Sequence, residues 1–319
     1  MIGLYKILGV PFGFLLRIIY ETIGFQNYAV SIVILTVVAR LIMIPSTIHQ
    51  QKGMAKTQRI QSKIRKIQEK YAGDQRKIQE ETQALYQREG YNPMNAGCAP
   101  MLVQFVLLFG LIGAIYYPLS NFLTGITDAE IAALTAKAAA FRPASMSKSV
   151  IMDELLVIQH IGEIVEKGIE GVSQGAIEKI KSVNFSFFGL FDLGDIPKDT
   201  KGFAPIWCIP VLSVISTLAS SIYSYIKQKQ TQSNAAAAKS MGCMTIGMAA
   251  FSPYFVINYP AGIGIYWIAS GIVGLIINVI VGNMYSPKKM IAKIMIDETV
   301  ERRSKENNIK FAANANNEK

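Results

Sequence analysis

Apolar residues gather in five blocks, 28–48, 98–119, 204–226, 241–257 and 261–285. A helix needs about 20 residues to cross a bilayer core, so each block predicts a spanning helix, the fourth a short one. Only Asn258-Tyr259-Pro260 separates the fourth block from the fifth, which predicts a tight membrane hairpin. Between the first two blocks, 49–97 is polar, and Ile60, Ile64, Ile67 and Tyr71 recur at heptad steps of 4, 3 and 4. Gly73 can end that helix and Asp74 can cap the next, where Ile78 and Leu85 continue the stripe. So short a reversal predicts an antiparallel helical hairpin. Segment 120–203 is mixed, with helical stretches over 128–140 and 150–168. Residues 1–27 are apolar but interrupted by Lys6, Pro11 and Arg17. They predict an amphipathic helix in the membrane interface, with Leu4, Leu8, Leu15 and Ile19 on one side; a sixth span and a cleaved signal are the alternatives.

Composition and charge place these elements. Of 319 residues, 51% are hydrophobic and 17% charged. Soluble domains carry about 25% charged residues, so an ordinary soluble enzyme is excluded, and the aliphatic content excludes a disordered chain. A net charge of +10 suggests nucleic acid in a soluble protein, but here it is divided by segment. Lys/Arg outnumber Asp/Glu by ten to five in 49–97, three to none in 227–240 and eight to five in 286–319, whereas 120–203 has eight against eleven. Basic segments are retained in the cytoplasm. The expected architecture is an all-α polytopic membrane protein, a five-span helical bundle with a cytoplasmic antiparallel helical hairpin and a long extracytoplasmic loop. Its order is an interfacial helix (1–27), first span (28–48), hairpin (49–97), second span (98–119), outside loop (120–203), third span (204–226), cytoplasmic loop (227–240), fourth span (241–257), fifth span (261–285) and basic cytoplasmic tail (286–319). The N-terminus is expected outside and the C-terminus in the cytoplasm.

Arg40 interrupts the first block nine residues before His49, about 13 Å of helix. An Arg at a helix centre costs roughly 2.5–3.5 kcal/mol on insertion scales. Arg40 either snorkels to the cytoplasmic head groups or lines a wet cavity. Thr36, one turn earlier, shares its helix face. Gln104 lies in the second block, Ser213, Ser216, Thr217, Ser220 and Ser221 mark one side of the third, and Tyr266 and Trp267 lie in the fifth. Small and hydroxyl residues serve helix packing as readily as a cavity, and both readings of the serine row stand. No block contains Asp or Glu, which disfavours pumps and transporters built on intramembrane carboxylates. Cys98, Cys208 and Cys243 are scattered, and CxxC, HExxH, Walker and GxGxxG patterns are missing. No metal, cofactor or covalent catalysis is therefore expected.

Several of these residues carry a family resemblance. Thr36-x-x-x-Arg40-x-x-x-x-Pro45 followed by a Met/Lys/Gln-rich hairpin resembles the YidC-type membrane protein insertases, a superfamily that includes the mitochondrial oxidase-assembly and chloroplast albino-type insertases. Asn92-Pro-Met-Asn-Ala-Gly-Cys98-Ala-Pro100-Met-Leu-Val-Gln104 resembles the family's N-P-x-x-G-C-x-P-x-x-x-Q run, Phe187-Phe-Gly-Leu-Phe-Asp192-Leu193 its aromatic-rich segment, and Pro260-Ala-Gly262-Ile-Gly-Ile-Tyr266-Trp267 its P-x-G-x-x-x-Y-W motif. The resemblance covers roughly 28–119 and 185–285. It departs at Phe105-Val106, where the usual Pro is missing, at Ser270-Gly271, which replaces the usual Ser-Asn, and in the long 120–184 loop.

The resemblance implies an insertase and folding chaperone of the bacterial plasma membrane, acting through a hydrophilic groove around Arg40. Thr36, Gln104 and Tyr266 match groove or rim positions and Trp267 is a further transfer; Ser216 and Ser220 join them from the serine row. The implied partners are nascent membrane proteins and lipids, with no DNA. The basic tail adds the ribosome, met through counterion release, and the Sec translocon is an open partner. A small-solute channel or transporter is the alternative function, against which the lack of internal repeats speaks.

Overall fold

The computed structural model describes residues 2–91, 99–142, 152–202, 204–231, 247 and 253–317. The chain divides into two compact units, one of Met1–Met43, Met101–Ile226 and Met241–Ile276, the other of Ile44–Pro100, Lys227–Ser240 and Ile277–Lys319. Among the described residues the regular structure is helical, with a single isolated antiparallel bridge at Ser186–Asp192. The helices are α1 (Ile2–Thr22), α2 (Tyr28–Ile42), α3 (Ile44–Lys70), α4 (Gln75–Arg88), α5 (Ala99–Tyr116), α6 (Pro118–Asn121), α7 (Asp128–Ala138), α8 (Asp153–Glu166), α9 (Gln174–Ser182), α10 (Cys208–Thr231), α11 (Ala261–Met284) and α12 (Pro287–Asn317).

Two helical stretches among the described residues are long and apolar enough to cross a membrane, Pro205–Lys227 and Ala261–Asn308, and a third if α2 and α3 make one broken span. The second expected span is represented by a shorter apolar helix, Phe105–Tyr116. The fourth, 241–257, falls largely outside the described residues, of which 253–258 are helical. Within the first expected span the helix breaks at Met43, whose N–H still bonds Ala39. Pro45 supplies the reason: it has no N–H for the Leu41 carbonyl, and its ring crowds that carbonyl.

In the first unit α1 packs on α2, and through glycines on α6. A Cβ on Gly13 would stand 2.3 Å from the Asn121 carbonyl oxygen, and one on Gly9 2.9 Å from the Gly113 carbonyl carbon. Backbones can come this close only where a side chain is missing. That approach sets the buried face, so Leu16 is buried and Leu15, expected beside Ile19, is exposed. Exposed apolar residues form rows at helical steps: Ile7, Val10, Phe14 and Ile18 on α1, Val211, Ile215, Leu218 and Ile222 on α10, and Ile272 and Ile276 on α11. Stripes of this kind are disfavoured in water by about 25 cal/mol per Å², and hydrocarbon is the solvent they suit.

The segment between α5 and α10 builds a helical cap. Leu134, Met152, Leu155, Val157, Ile161, Ile164 and Ile180 are buried in a core continuous with Leu16, Tyr28, Ile32, Leu111 and Ile115. Carboxylates pin it, each saturated with donors as burial demands. Glu154 accepts from Ser120 N at 2.9 Å and Ser120 Oγ at 2.5 Å, and Asp153 pairs with Arg142. Glu130 accepts from Ser173 Oγ (2.6 Å) and N (2.9 Å) and from Thr127 N and Oγ1, both at 2.8 Å. The Ser173 and Thr127 donors lower its pKa to about 2 from a usual 4.5. A depressed carboxylate stabilises the fold above its unfolded pKa, and that contribution is lost as pH falls from about 4.5 through about 2. Protection of α7 and α9 amides, measured relative to intrinsic exchange at each pH, is therefore expected to fall over that window, and Glu130→Gln to flatten the response; an unchanged response in the variant would contradict the assignment.

Residues 184–195 link helix ends. Tyr28 N–H, at the start of α2, donates to Asn184 O at 3.0 Å; Ala261 and Gly262 N–H, at the start of α11, donate to Asp195 O and Leu193 O, both at 2.8 Å. These satisfy N–H groups that a helix start leaves without partners.

In the second unit α3 and α4 fold back on each other. Gly73 takes φ 96° at the turn, Asp74 caps α4 by accepting from Lys77 N at 3.1 Å, and Lys63 reaches Glu89 at 2.5 Å. Ile60 is buried; Ile64, Ile67, Ile78 and Leu85 are half-buried. α12, read from sequence only as a basic tail, is a helix that packs on α3.

Candidate functional site

Arg40 lies in the last turn of α2, in a helix whose other residues are apolar or hydroxyl-bearing. Its side chain is half-buried, and its guanidinium donates to Ser270 Oγ, from Nε at 3.1 Å and also from Nη2. Gly274, one turn on from Ser270, lies beside the guanidinium: a Cβ there would sit in ordinary contact, 3.7 Å from Arg40 Cζ. Tyr266, one turn before Ser270, is buried. Positions 266, 270 and 274 share one face of α11 by the i, i+4 rule. Arg40 thus bonds Ser270 and lies beside Gly274, with Tyr266 one turn before Ser270 on the same helix.

The other candidates have contacts of their own. Thr36 is fully buried and donates to Ile32 O of its own helix at 2.7 Å. Ser216 donates to Ser213 O at 3.0 Å, and Ser220 shares its proton between Ser216 O (3.0 Å) and Gly271 O (3.1 Å). A Cβ on Gly271 would meet Ser216 Oγ at 3.0 Å, so Gly271, a departure from the family pattern, is what lets α10 approach α11. Ser216 and Ser220 are on this α10–α11 seam. Trp267 faces Phe255, ring centroids 5.4 Å apart, and Phe255 stacks on Tyr259 at 4.0 Å. Gln104 belongs to α5, and its side chain lies outside the described residues. Sequence reasoning passed over Ser270 and Gly274 as site residues; their signal was the four-residue step from Tyr266. Among the described residues, no three His, Cys, Asp or Glu side chains converge as a metal site.

Regular structure that is helical among the described residues, lipid-suited stripes and an Arg held between apolar helices define a helical membrane protein. Residues 18–289 match the family model described as 60Kd inner membrane protein, and the chain belongs to that family. It is similar to a membrane protein insertase YidC of Clostridium perfringens, 27% identical over 253 residues, covering 78% of this chain and 76% of the relative. The YidC insertase of Caldanaerobacter subterraneus is 26% identical over 261 residues, 82% of this chain and 86% of the relative. That of Fusobacterium nucleatum is 35% identical over 112 residues, 35% of this chain; the match spans 53% of that relative's length.

Proposed function

We propose that the chain is a membrane protein insertase and folding chaperone of the bacterial plasma membrane. In this reading five helices span the bilayer, the N-terminus lies outside and the C-terminus in the cytoplasm. Residues 1–27 lie in the interface, α3 and α4 form a cytoplasmic arm, and 120–203 caps the outer side. The observation that carries the reading is Arg40, a permanent cation held by Ser270 in an apolar helix of a family whose relatives bear the insertase name. A hydrophilic groove around Arg40 takes in Thr36, Gln104, Ser216, Ser220, Tyr266 and Trp267. Arg40 attracts the acidic or polar tail of a nascent chain, and the groove shortens the apolar path that tail must cross. The client's apolar segment then passes into lipid, driven by about 25 cal/mol per Å² buried. The membrane potential helps an anionic tail outward by roughly 2.3 kcal/mol per charge per 100 mV. No covalent step is involved.

The test is reconstitution. Liposomes holding only this chain are expected to insert a lone acidic-tailed client, measured as protease protection. Insertion no better than in empty liposomes would sink the reading, and solute flux without insertion would favour a channel. Ribosomes added to the same liposomes test the basic tail, since binding through 287–319 is expected to weaken with salt; a contribution from the Sec translocon would appear as faster insertion when it is co-reconstituted.

A further inference from the structure

We propose that loops 23–26 and 187–190 together form an apolar foot that enters the outer-leaflet interface of the lipid bilayer; this rests on the spanning orientation of the preceding reading. Four side chains carry it: Ile23 is 55% exposed, Phe25 87%, Phe188 70% and Leu190 56%.

These side chains are held outward by ordered backbone. In the second loop Phe187 and Phe191 turn inward and stack at 5.0 Å, Phe187 N–H donates to Phe191 O at 2.8 Å, and Gly189 N–H donates to Ser186 Oγ at 3.1 Å. Phe188, its ring edge-on to Phe187 at 5.1 Å, and Leu190 stay on the exposed side of the loop. In the first loop Gly24 N–H bonds Ile19 O at 2.6 Å and Asn27 N–H bonds Gly24 O at 2.9 Å. Phe25, Gln26 and Phe188 take φ values of 53°, 51° and 50°. That left-handed region is disfavoured for any residue with a Cβ, and residues held there by their surroundings cluster at functional sites. Phe25 and Phe188 are also the most exposed phenylalanines among the described residues.

The loops are joined. Asn27 Nδ2 donates to Ser186 O at 3.2 Å, so Phe25 and Phe188 each stand two residues from one shared hydrogen bond. Phe25 lies three residues before α2 begins, and the exposed row Ile7, Val10, Phe14 and Ile18 of α1 leads up to Ile23. Trp and Tyr beside the end of a span sit at the head-group level; Phe25 and Phe188, with no polar atom on the ring, suit the acyl boundary just beneath it. Residues 22–28 and 185–191 contain no charged side chain, which matches the acyl boundary of a bilayer and offers nothing to a charged protein or nucleic-acid surface.

The test uses the full chain with Cys98, Cys208 and Cys243 replaced by Ala, carrying Phe25→Cys or Phe188→Cys with a nitroxide label, in phosphatidylcholine liposomes. Ile215→Cys on α10 is the lipid reference and exposed Lys201→Cys the water reference. Labels at 25 and 188 are expected to collide more with oxygen than with a water-soluble nickel complex, shifted towards the value at 215, and to do so equally when anionic lipid is added. Values equal to those at 201 would overturn the foot. Low access to both reagents would also overturn it, by showing a protein cover. If 215 itself behaves like 201, the spanning reading falls first and the foot with it.

Discussion

Replacing Arg40 by Ala is expected to stop insertion of an acidic-tailed client in cells depleted of their own insertase, while Arg40→Lys restores most of it. Two unit charges 4 Å apart at an effective dielectric of 20 attract by about 4 kcal/mol. Half of that surviving desolvation is about 2 kcal/mol, or roughly thirtyfold in rate. Lys keeps the charge but loses the paired donation from Nε and Nη2 to Ser270, so a residual deficit with Lys is expected. Pulse-chase protease protection of the client measures both variants. Normal insertion with Ala would falsify the role given to the charge, and equal failure of Lys and Ala would shift the emphasis to the shape of the guanidinium.

Tyr28→Ala is expected to be the most damaging single change to stability. Tyr28 is fully buried, donates to Ala114 O at 3.0 Å, and packs edge-on to Phe122 at 5.0 Å and tilted against Phe185 at 4.8 Å. It therefore joins α2, α5 and the segment after α9. Truncating a buried aromatic to Ala costs about 3–5 kcal/mol through lost transfer energy and the cavity left behind. Tyr28→Phe keeps the rings in place and loses one hydrogen bond, about 1 kcal/mol. Thermal unfolding in detergent should rank wild type, Phe and Ala in that order, with faster amide exchange across 184–195 in the Ala variant. Equal midpoints for Phe and Ala would mean that the ring packing contributes little.

Arg40 stood out in the sequence because a charge inside an apolar block is rare and expensive, and no packing role explains it. Ser270 did not stand out, since a serine in a row with Gly271 and Gly274 resembles any small-residue helix face. Only the fold shows which partner it meets. The serine row of α10 was open between packing and cavity; at Ser216 and Ser220 the contacts are with backbone of α10 and α11. Apolar length is a blunt measure of a helix end, so the Met43 break was hidden although Pro45 marks it. The cap helices α7 and α8 were legible from their own periodicity, but their attachment was not, because it depends on Glu130, Glu154 and Asp153 meeting donors far along the chain. The packing of α12 on α3 lay beyond charge counting for the same reason.

The hydrogen bonds from residues 184–195 also bear on the order of events during synthesis. Asn27 and Ser186, which close the N-terminal end of α2, are 159 residues apart in the chain. At about 5–20 residues per second, roughly ten to thirty seconds separate the emergence of the two partners. For that interval α2 has no carbonyl from Asn184 for its first N–H, and α11 does not yet exist. The chain is thus a slow client in its own biogenesis: α2 must wait, incompletely fastened, for a keystone made much later, and machinery already in the membrane has that long to hold it.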